Sequence, residues 1–261
     1  MPIRLVIFDW AGTVIDFGCQ APTGAFVQAL AESGVSITLR EARGPMGLHK
    51  KDHLRALLSV PDIGQRWHAA HNRAWSEVDV DALYQRVTPL QVAAAKQYGR
   101  LGPGVPECVA ELRRMGLKIA GTTGYFREAA EVVYAAAAQQ GYTPDYSICA
   151  DEVPAGRPAP WMIFRAMEAL NVYPPSAVVK VGDTLVDIAD GLNAGVWSLG
   201  VIDSSNEMGL GEEELAKMNI DELRQRRDGI RKTYLAAGAH SVLDTLAELP
   251  GWVATLGERC P

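Results

Sequence analysis

The sequence predicts an α/β fold in which a parallel β-sheet is covered by helices on both faces and interrupted by one helical insert. Two observations predict it. Short apolar, β-branched runs recur along the chain, each ending near a glycine or an aspartate, with amphipathic stretches between them. The second is an uneven glycine distribution: from Leu48 to Tyr98 the only glycine is Gly64, whereas Gly99 to Pro160 holds eight. Strands alternating with helices at this spacing form right-handed βαβ crossovers, which build parallel sheets.

Ile3 to Phe8 reads as a buried central strand opening at Asp9 into a turn with Gly12 and Thr13. Residues 18–98 form the helical insert, so the core is discontinuous and comprises residues 1–17 and 99–261. After the insert, Val109, Leu112 and Met115 share a helical face that Gly116 stops. A second strand is predicted at Leu117 to Ala120 before Gly121, and a third at Tyr146 to Ala150 before Asp151. Ile163, Met167 and Leu170 mark another helix, ended by Asn171 and Pro174. Ala177 to Val181 before Gly182 and Val196 to Ile202 complete the strands. The charged stretch from Glu212 to Lys232 reads as a solvated helical surface.

Composition narrows the function classes. The chain has 261 residues, 48% hydrophobic and 21% charged, which is the balance of a folded domain rather than a disordered one. A net charge of −6 builds in no attraction to nucleic acid or anionic membrane. Cys19, Cys108, Cys149 and Cys260 lie far apart with no CxxC pair, so no structural zinc site is implied and reduced thiols in a cytoplasm are expected. The apolar run at the N-terminus is too short for a secretory signal, and no segment reaches the length of a membrane span.

In open parallel sheets, ligands bind beyond the carboxyl ends of the strands. Those ends carry Asp9, Thr122 with Thr123, and Asp183 with Asp187. Carboxylates, hydroxyls and glycine-exposed amides suit a hard divalent cation and a phosphoryl group. Neither GxxxxGK[ST] nor GxGxxG occurs. His49 and His53 are four apart, but Lys-Lys-Asp lies between them rather than the glutamate-bearing HExxH pattern, and His68 with His71 has no completing ligand nearby.

The segments DWAGT (Asp9 to Thr13), TTGY (Thr122 to Tyr125) and GDTLVD (Gly182 to Asp187) resemble the haloacid dehalogenase superfamily of aspartate-nucleophile phosphotransferases. PMGLHKKDH (Pro45 to His53), VPAGRPAPW (Val153 to Trp161) and KVGDTLVD (Lys180 to Asp187) further resemble its phosphonoacetaldehyde hydrolases, or phosphonatases. The resemblance spans most of the chain. It implies a Rossmann-like core of the haloacid dehalogenase type, a helical cap over residues 18–98, Mg²⁺ as cofactor, a small-molecule substrate and a homodimer formed through the caps. Trp67, Trp75 and Leu83 are apolar residues that would serve such an interface or pack the cap.

One departure from the superfamily pattern carries chemical information. Phosphatases of this group have a second aspartate two positions after the nucleophile, and here that position is Ala11. A phosphate ester needs such an acid to protonate its leaving alkoxide. Cleavage of a carbon–phosphorus bond needs an electron sink instead, which a protonated imine between an aldehyde and a lysine supplies. The family motif assigns that lysine to Lys50 rather than Lys51. If the segment is helical, Met46, Lys50 and His53 share one face. To act as a nucleophile at neutral pH, the lysine must be desolvated or set near other cations.

By the same resemblance, Asp9, Lys50 and His53 are catalytic. Asp9, the backbone carbonyl of Ala11 and Asp183 hold the metal, with Asp187 behind them. Thr122 or Thr123, Gly124, Tyr125, Arg157, Met46 and Cys19 bind substrate, Thr123 being favoured over Thr122, and Arg157 stands where the superfamily commonly has a phosphate-binding lysine. The expected reaction is hydrolysis of phosphonoacetaldehyde to acetaldehyde and phosphate. The alternative is another enzyme of the superfamily, a phosphatase, mutase or dehalogenase acting on a small metabolite.

Overall fold

The computed structural model describes residues 2–258; Cys260 lies outside them. The core is built on β1 (Leu5–Phe8), β2 (Lys118–Thr123), β3 (Tyr146–Cys149), β4 (Val178–Gly182), β5 (Trp197–Val201) and β6 (Ser241–Leu243), all parallel in the order β3-β2-β1-β4-β5-β6. β1 is central, and alternation along it feeds two cores. Val6 and Phe8 join Val179, Val181 and Leu199 on one face, whereas Leu5 and Ile7 join Val178 and Ile163 on the other. Each such side chain contributes about 1.5–3 kcal/mol when fully buried.

Five strands fall where they are expected, with shifted ends. β2 runs on through Gly121 to Thr123, because the β-branched threonines pair in register with Ile148 and Cys149 of β3. β6 was not foreseen: three residues give too short an alternation to detect. The charged stretch forms the helical surface expected, as two mostly exposed helices.

The interval after β1 holds α1 (Gln20–Ala31), α2 (Leu39–Arg43), α3 (Lys50–Ser59), α4 (Pro61–His71) and α5 (Glu77–Gln97). These five pack around their own cluster, including Phe26, Leu30, Leu54, Leu57, Trp67, Leu83 and Val87. Trp67 and Leu83 are thus interior residues of the insert, and Trp75 packs partly buried beside them. Where the chain leaves and re-enters the core, Ile15 and Leu101 form an antiparallel bridge.

Beyond the insert come α6 (Val105–Arg114), α7 (Arg127–Gln139), α8 (Trp161–Ala169), α9 (Leu185–Asn193), α10 (Glu212–Ala216), α11 (Ile220–Ala236) and α12 (Leu249–Glu258). α5 packs along α7, laying the insert across the carboxyl edge of the sheet. Among the described residues, no helix is long and apolar enough to cross a membrane.

Candidate active site

The carboxyl ends of β1, β2 and β4 converge on one cavity. From the core it is lined by Asp9, Ala11, Thr123, Gly124, Tyr125, Arg157 and Asp183, and from the insert by Cys19, Met46 and Lys50. The free space among them is about 20 Å³, the size of a single water. A larger cavity of about 380 Å³ behind Phe17, walled by Leu215, Met218 and Leu223, contains none of the residues expected to act.

The charged floor is fully buried. Asp9 follows β1 and its carboxylate meets Arg157 Nη1 at 2.7 Å. The same nitrogen lies 3.0 Å from Asp187, and Arg157 Nε lies 3.6 Å from Asp190. Lys180, in the middle of β4, donates to Asp187 at 2.8 Å, and the Thr184 hydroxyl donates to its other oxygen at 2.6 Å. Asp183 accepts from the backbone N–H of Asn206 at 2.9 Å and from the Thr13 hydroxyl at 3.3 Å. Asp9, Asp183 and Asp187 each offer a ligand atom within 4.8 Å of the others.

Burial sets the protonation balance. It raises Asp9 despite the opposing pull of Arg157, and it raises Asp183 well above the carboxylate range with Asp9 and Asp187 adding to the rise. It also lifts Asp190 to about 7. Asp187 is held at about 2, because Arg157 and Lys180 outweigh its burial. Four buried carboxyl groups, Asp9, Asp183, Asp187 and Asp190, thus gather around the buried cations Arg157 and Lys180, with Lys50 above them. Crowding of Asp9, Asp183 and Asp187 raises the proton affinity of Asp183, and these clustered carboxyl oxygens are the donor set a hard divalent cation fits.

The roof comes from the insert. Lys50 is only 4% exposed, its Nζ 5.1 Å from the Tyr125 ring centroid and 5.8 Å from that of Phe26. Burial lowers its pKa to about 8; Cys19 and Asp9 pull upward and Arg157 adds to the fall. Lys51 turns away and pairs with Asp81 at 2.6 Å. The shared helical face expected for Met46, Lys50 and His53 is only partly realised, since α3 begins at Lys50. Met46 reaches the cavity from the preceding loop, which turns at Gly47 with φ +94°. A Cβ there would stand 2.6 Å from the Thr184 hydroxyl, and one on Gly124 would stand 2.9 Å from the carbonyls of Gly47 and Leu48. Both glycines thus let the loop lie directly on the core.

His53 does not border the cavity. It is fully buried behind Lys50, stacked on Phe26 at 3.7 Å between centroids, with Nε2 2.9 Å from the Ala42 carbonyl. Burial, reinforced by Lys50, pushes it well below its ordinary pKa, so it stands as a neutral ring. Thr122 is also withdrawn: its hydroxyl and its carbonyl both accept from Arg157, at 2.8 and 2.6 Å. The Thr123 hydroxyl lies on the cavity side and accepts from the Tyr125 N–H at 3.1 Å. Burial drives the Cys19 thiol and the Tyr125 phenol far above their usual pKa values, so both are neutral.

Sequence reasoning missed Lys180, Thr184, Asp190, Pro22 and Gly47. A lysine inside the apolar run VVKVG was itself a signal, because a charge at the centre of a buried strand requires a partner. Thr184 caps α9 by accepting from the Asp187 N–H at 3.2 Å, a spacing legible as a helix start.

The sequence profile of the haloacid dehalogenase-like hydrolases matches residues 3–195. Phosphonoacetaldehyde hydrolase of Bacillus cytotoxicus is 45% identical over 250 residues, covering 96% of this chain and 95% of the relative. That of Parabacteroides distasonis is 45% identical over 255 residues, covering 97% of each. A crystal structure of a phosphonoacetaldehyde hydrolase-like protein from Oleispira antarctica superposes with a TM-score of 0.97 at 37% identity, covering 99% of this chain and 94% of the other. Since the likeness runs the length of core and insert alike, the chain belongs to the phosphonoacetaldehyde hydrolase family of the haloacid dehalogenase superfamily.

Proposed function

We propose that the protein hydrolyses phosphonoacetaldehyde to acetaldehyde and phosphate through an imine at Lys50 and an aspartyl phosphate at Asp9. The observation that carries this reading is a buried amine lowered to about 8 in the same cavity as Asp9, with Ala11 where an ester hydrolase needs an acid. The relatives named for this activity, alike over nearly the whole chain, support it.

The neutral Lys50 amine adds to the aldehyde and, with uptake of one proton, expels water, leaving a protonated imine next to the carbon that bears phosphorus. Asp9 attacks phosphorus, and the electron pair of the breaking carbon–phosphorus bond moves into the imine to give an enamine. Arg157, whose planar fork suits phosphoryl oxygens, passes from Asp9 to the phosphonate as Asp9 becomes the nucleophile. Thr123 and the Gly124 amide offer donors to the same group. Protonation of the enamine carbon and addition of water release acetaldehyde and Lys50; a second water cleaves the aspartyl phosphate. One water is expelled and two are consumed, so the sum is hydrolysis.

Asp9, Asp183 and the Ala11 carbonyl would hold Mg²⁺, which when bound supplies charge neutralisation and orientation for the transferring phosphoryl group. His53 serves in this reading behind Lys50, keeping a neutral ring against an amine that must lose its proton. Residues 18–98 act as a cap. In this reading the cap parts from the core to admit the substrate and then re-closes to exclude water from the imine. A cytoplasmic location and a homodimer belong to the same proposal; with Trp67 and Leu83 interior, its interface would use exposed insert residues such as Leu39, Val60 and Val78.

The test is release of acetaldehyde and phosphate in equal amounts from phosphonoacetaldehyde, dependent on a divalent cation. Simple phosphate esters turned over as fast, with activity surviving Lys50→Ala, would replace this reading by that of an ordinary phosphatase.

A further inference from the structure

Arg43, the last residue of α2, belongs to the insert, yet its side chain is bound to the core and to the crossing between them. Nη1 donates to the Gly18 carbonyl at 2.7 Å and to the Asn206 side-chain oxygen at 3.3 Å, and Nη2 donates to the Gly209 carbonyl at 3.2 Å. Asn206 answers, its side-chain amide donating to the Arg43 carbonyl at 3.2 Å. Gly18 marks the point where the chain leaves the core, and Asn206 to Gly209 belong to the loop that follows β5. One guanidinium thus fastens two separate straps to the body of the insert, the crossing at Gly18 and the core loop after β5.

Both ends of this contact lead into the active site. On the core side, the Asn206 N–H donates to Asp183 at 2.9 Å. On the insert side, the Met46 N–H donates to the Arg43 carbonyl at 3.0 Å, and the neighbouring Ala42 carbonyl meets His53 at 2.9 Å, on the helix that Lys50 opens. We propose that Arg43 is a positioning residue for the reaction: it seats the insert on the core in the one register that sets Lys50 over Asp9. A lysine cannot replace it, since a single ammonium reaches one strap and a planar fork reaches both. The chemistry at stake rests on the function proposed above, but the seating itself can be read without any substrate.

Cys19 supplies that reading. Its thiol lines the cavity and is 2% exposed, sealed between insert and core, whereas Cys108 and Cys149 are buried in the core alone. The full chain is treated with iodoacetamide, and alkylation of each cysteine is followed by peptide mass analysis for the wild type, Arg43→Ala, Arg43→Lys and Asn206→Ala. Loss of charge-assisted bonds across the seam should speed alkylation of Cys19 by about ten- to a hundredfold in Arg43→Ala, with Arg43→Lys and Asn206→Ala between it and the wild type. Cys108 and Cys149 should stay at the wild-type rate. In the same series, KM for phosphonoacetaldehyde should rise and borohydride trapping of Lys50 should slow in the order of Cys19 exposure.

Unchanged Cys19 alkylation in all three variants overturns the proposal, as does a parallel rise at Cys108 and Cys149, which marks general loosening. Should Arg43→Ala fail to fold, Arg43→Lys and Asn206→Ala decide between the same outcomes. Exposure of Cys19 in a protein that never cleaves phosphonoacetaldehyde would sink the proposed reaction and leave the seating intact.

Discussion

The reactivity of Lys50 depends on how far burial lowers its pKa. An ordinary lysine, with its pKa near 10.5, is neutral in only about three molecules per ten thousand at pH 7. At about 8, where burial sets Lys50, roughly one molecule in ten is neutral, a gain of about 300-fold in nucleophile. The sign follows from the charge type: burial disfavours the ammonium, so the depressed pKa moves the free amine toward neutral pH. The rate of imine formation should climb about tenfold per pH unit below 8 and flatten above it. The assay is borohydride inactivation at substrate concentrations below KM, measured from pH 6 to 10, with the adduct located by peptide mass. Lys50→Arg keeps the charge and never yields a neutral amine, so it should form no adduct. A rate still rising steeply at pH 10 would mean a solvated lysine and would refute the argument, as would a substrate-dependent adduct confined to Lys51.

Three other outcomes test the site and the fold. Arg157→Ala removes the shared partner of Asp9, Asp187 and Asp190, so it should cost about 3–5 kcal/mol in urea unfolding, whereas Arg157→Lys should keep most of the stability and raise KM for loss of the fork. Chelation should abolish phosphate release and lower Tm; Mg²⁺ at a hundred times its Kd should restore both, stabilising the fold by about 2.7 kcal/mol. Full activity and an unchanged Tm after chelation would remove the metal from the site. Leu57→Ala, in the middle of the insert cluster, should destabilise by about 2–5 kcal/mol in denaturant titration and raise KM more than a comparable cavity in the sheet core, since the roof of the site hangs on that cluster.

By itself the sequence determined which chemistry is available and where along the chain. The strands announce themselves because their pattern has a period of two and ends at glycine or aspartate, and the parallel topology then brings Asp9, Thr123 and Asp183 to one edge. Ala11 is equally local: the missing acid is visible at a single position. What the tertiary structure decided depends on which way a side chain turns and on partners far along the chain. Lys50 and Lys51 are adjacent and chemically alike, yet the first turn of α3 buries one against Tyr125 and gives the other to Asp81. Thr122 and Thr123 point to opposite sides of one strand, so Arg157 takes the first and leaves the second to the cavity. His53 shares a helix with Lys50 but is held behind it by Phe26 and Ala42. Burial and pairing of this kind are properties of three-dimensional neighbourhoods, and they set whether a lysine is a nucleophile, an aspartate a ligand or a tryptophan an interface.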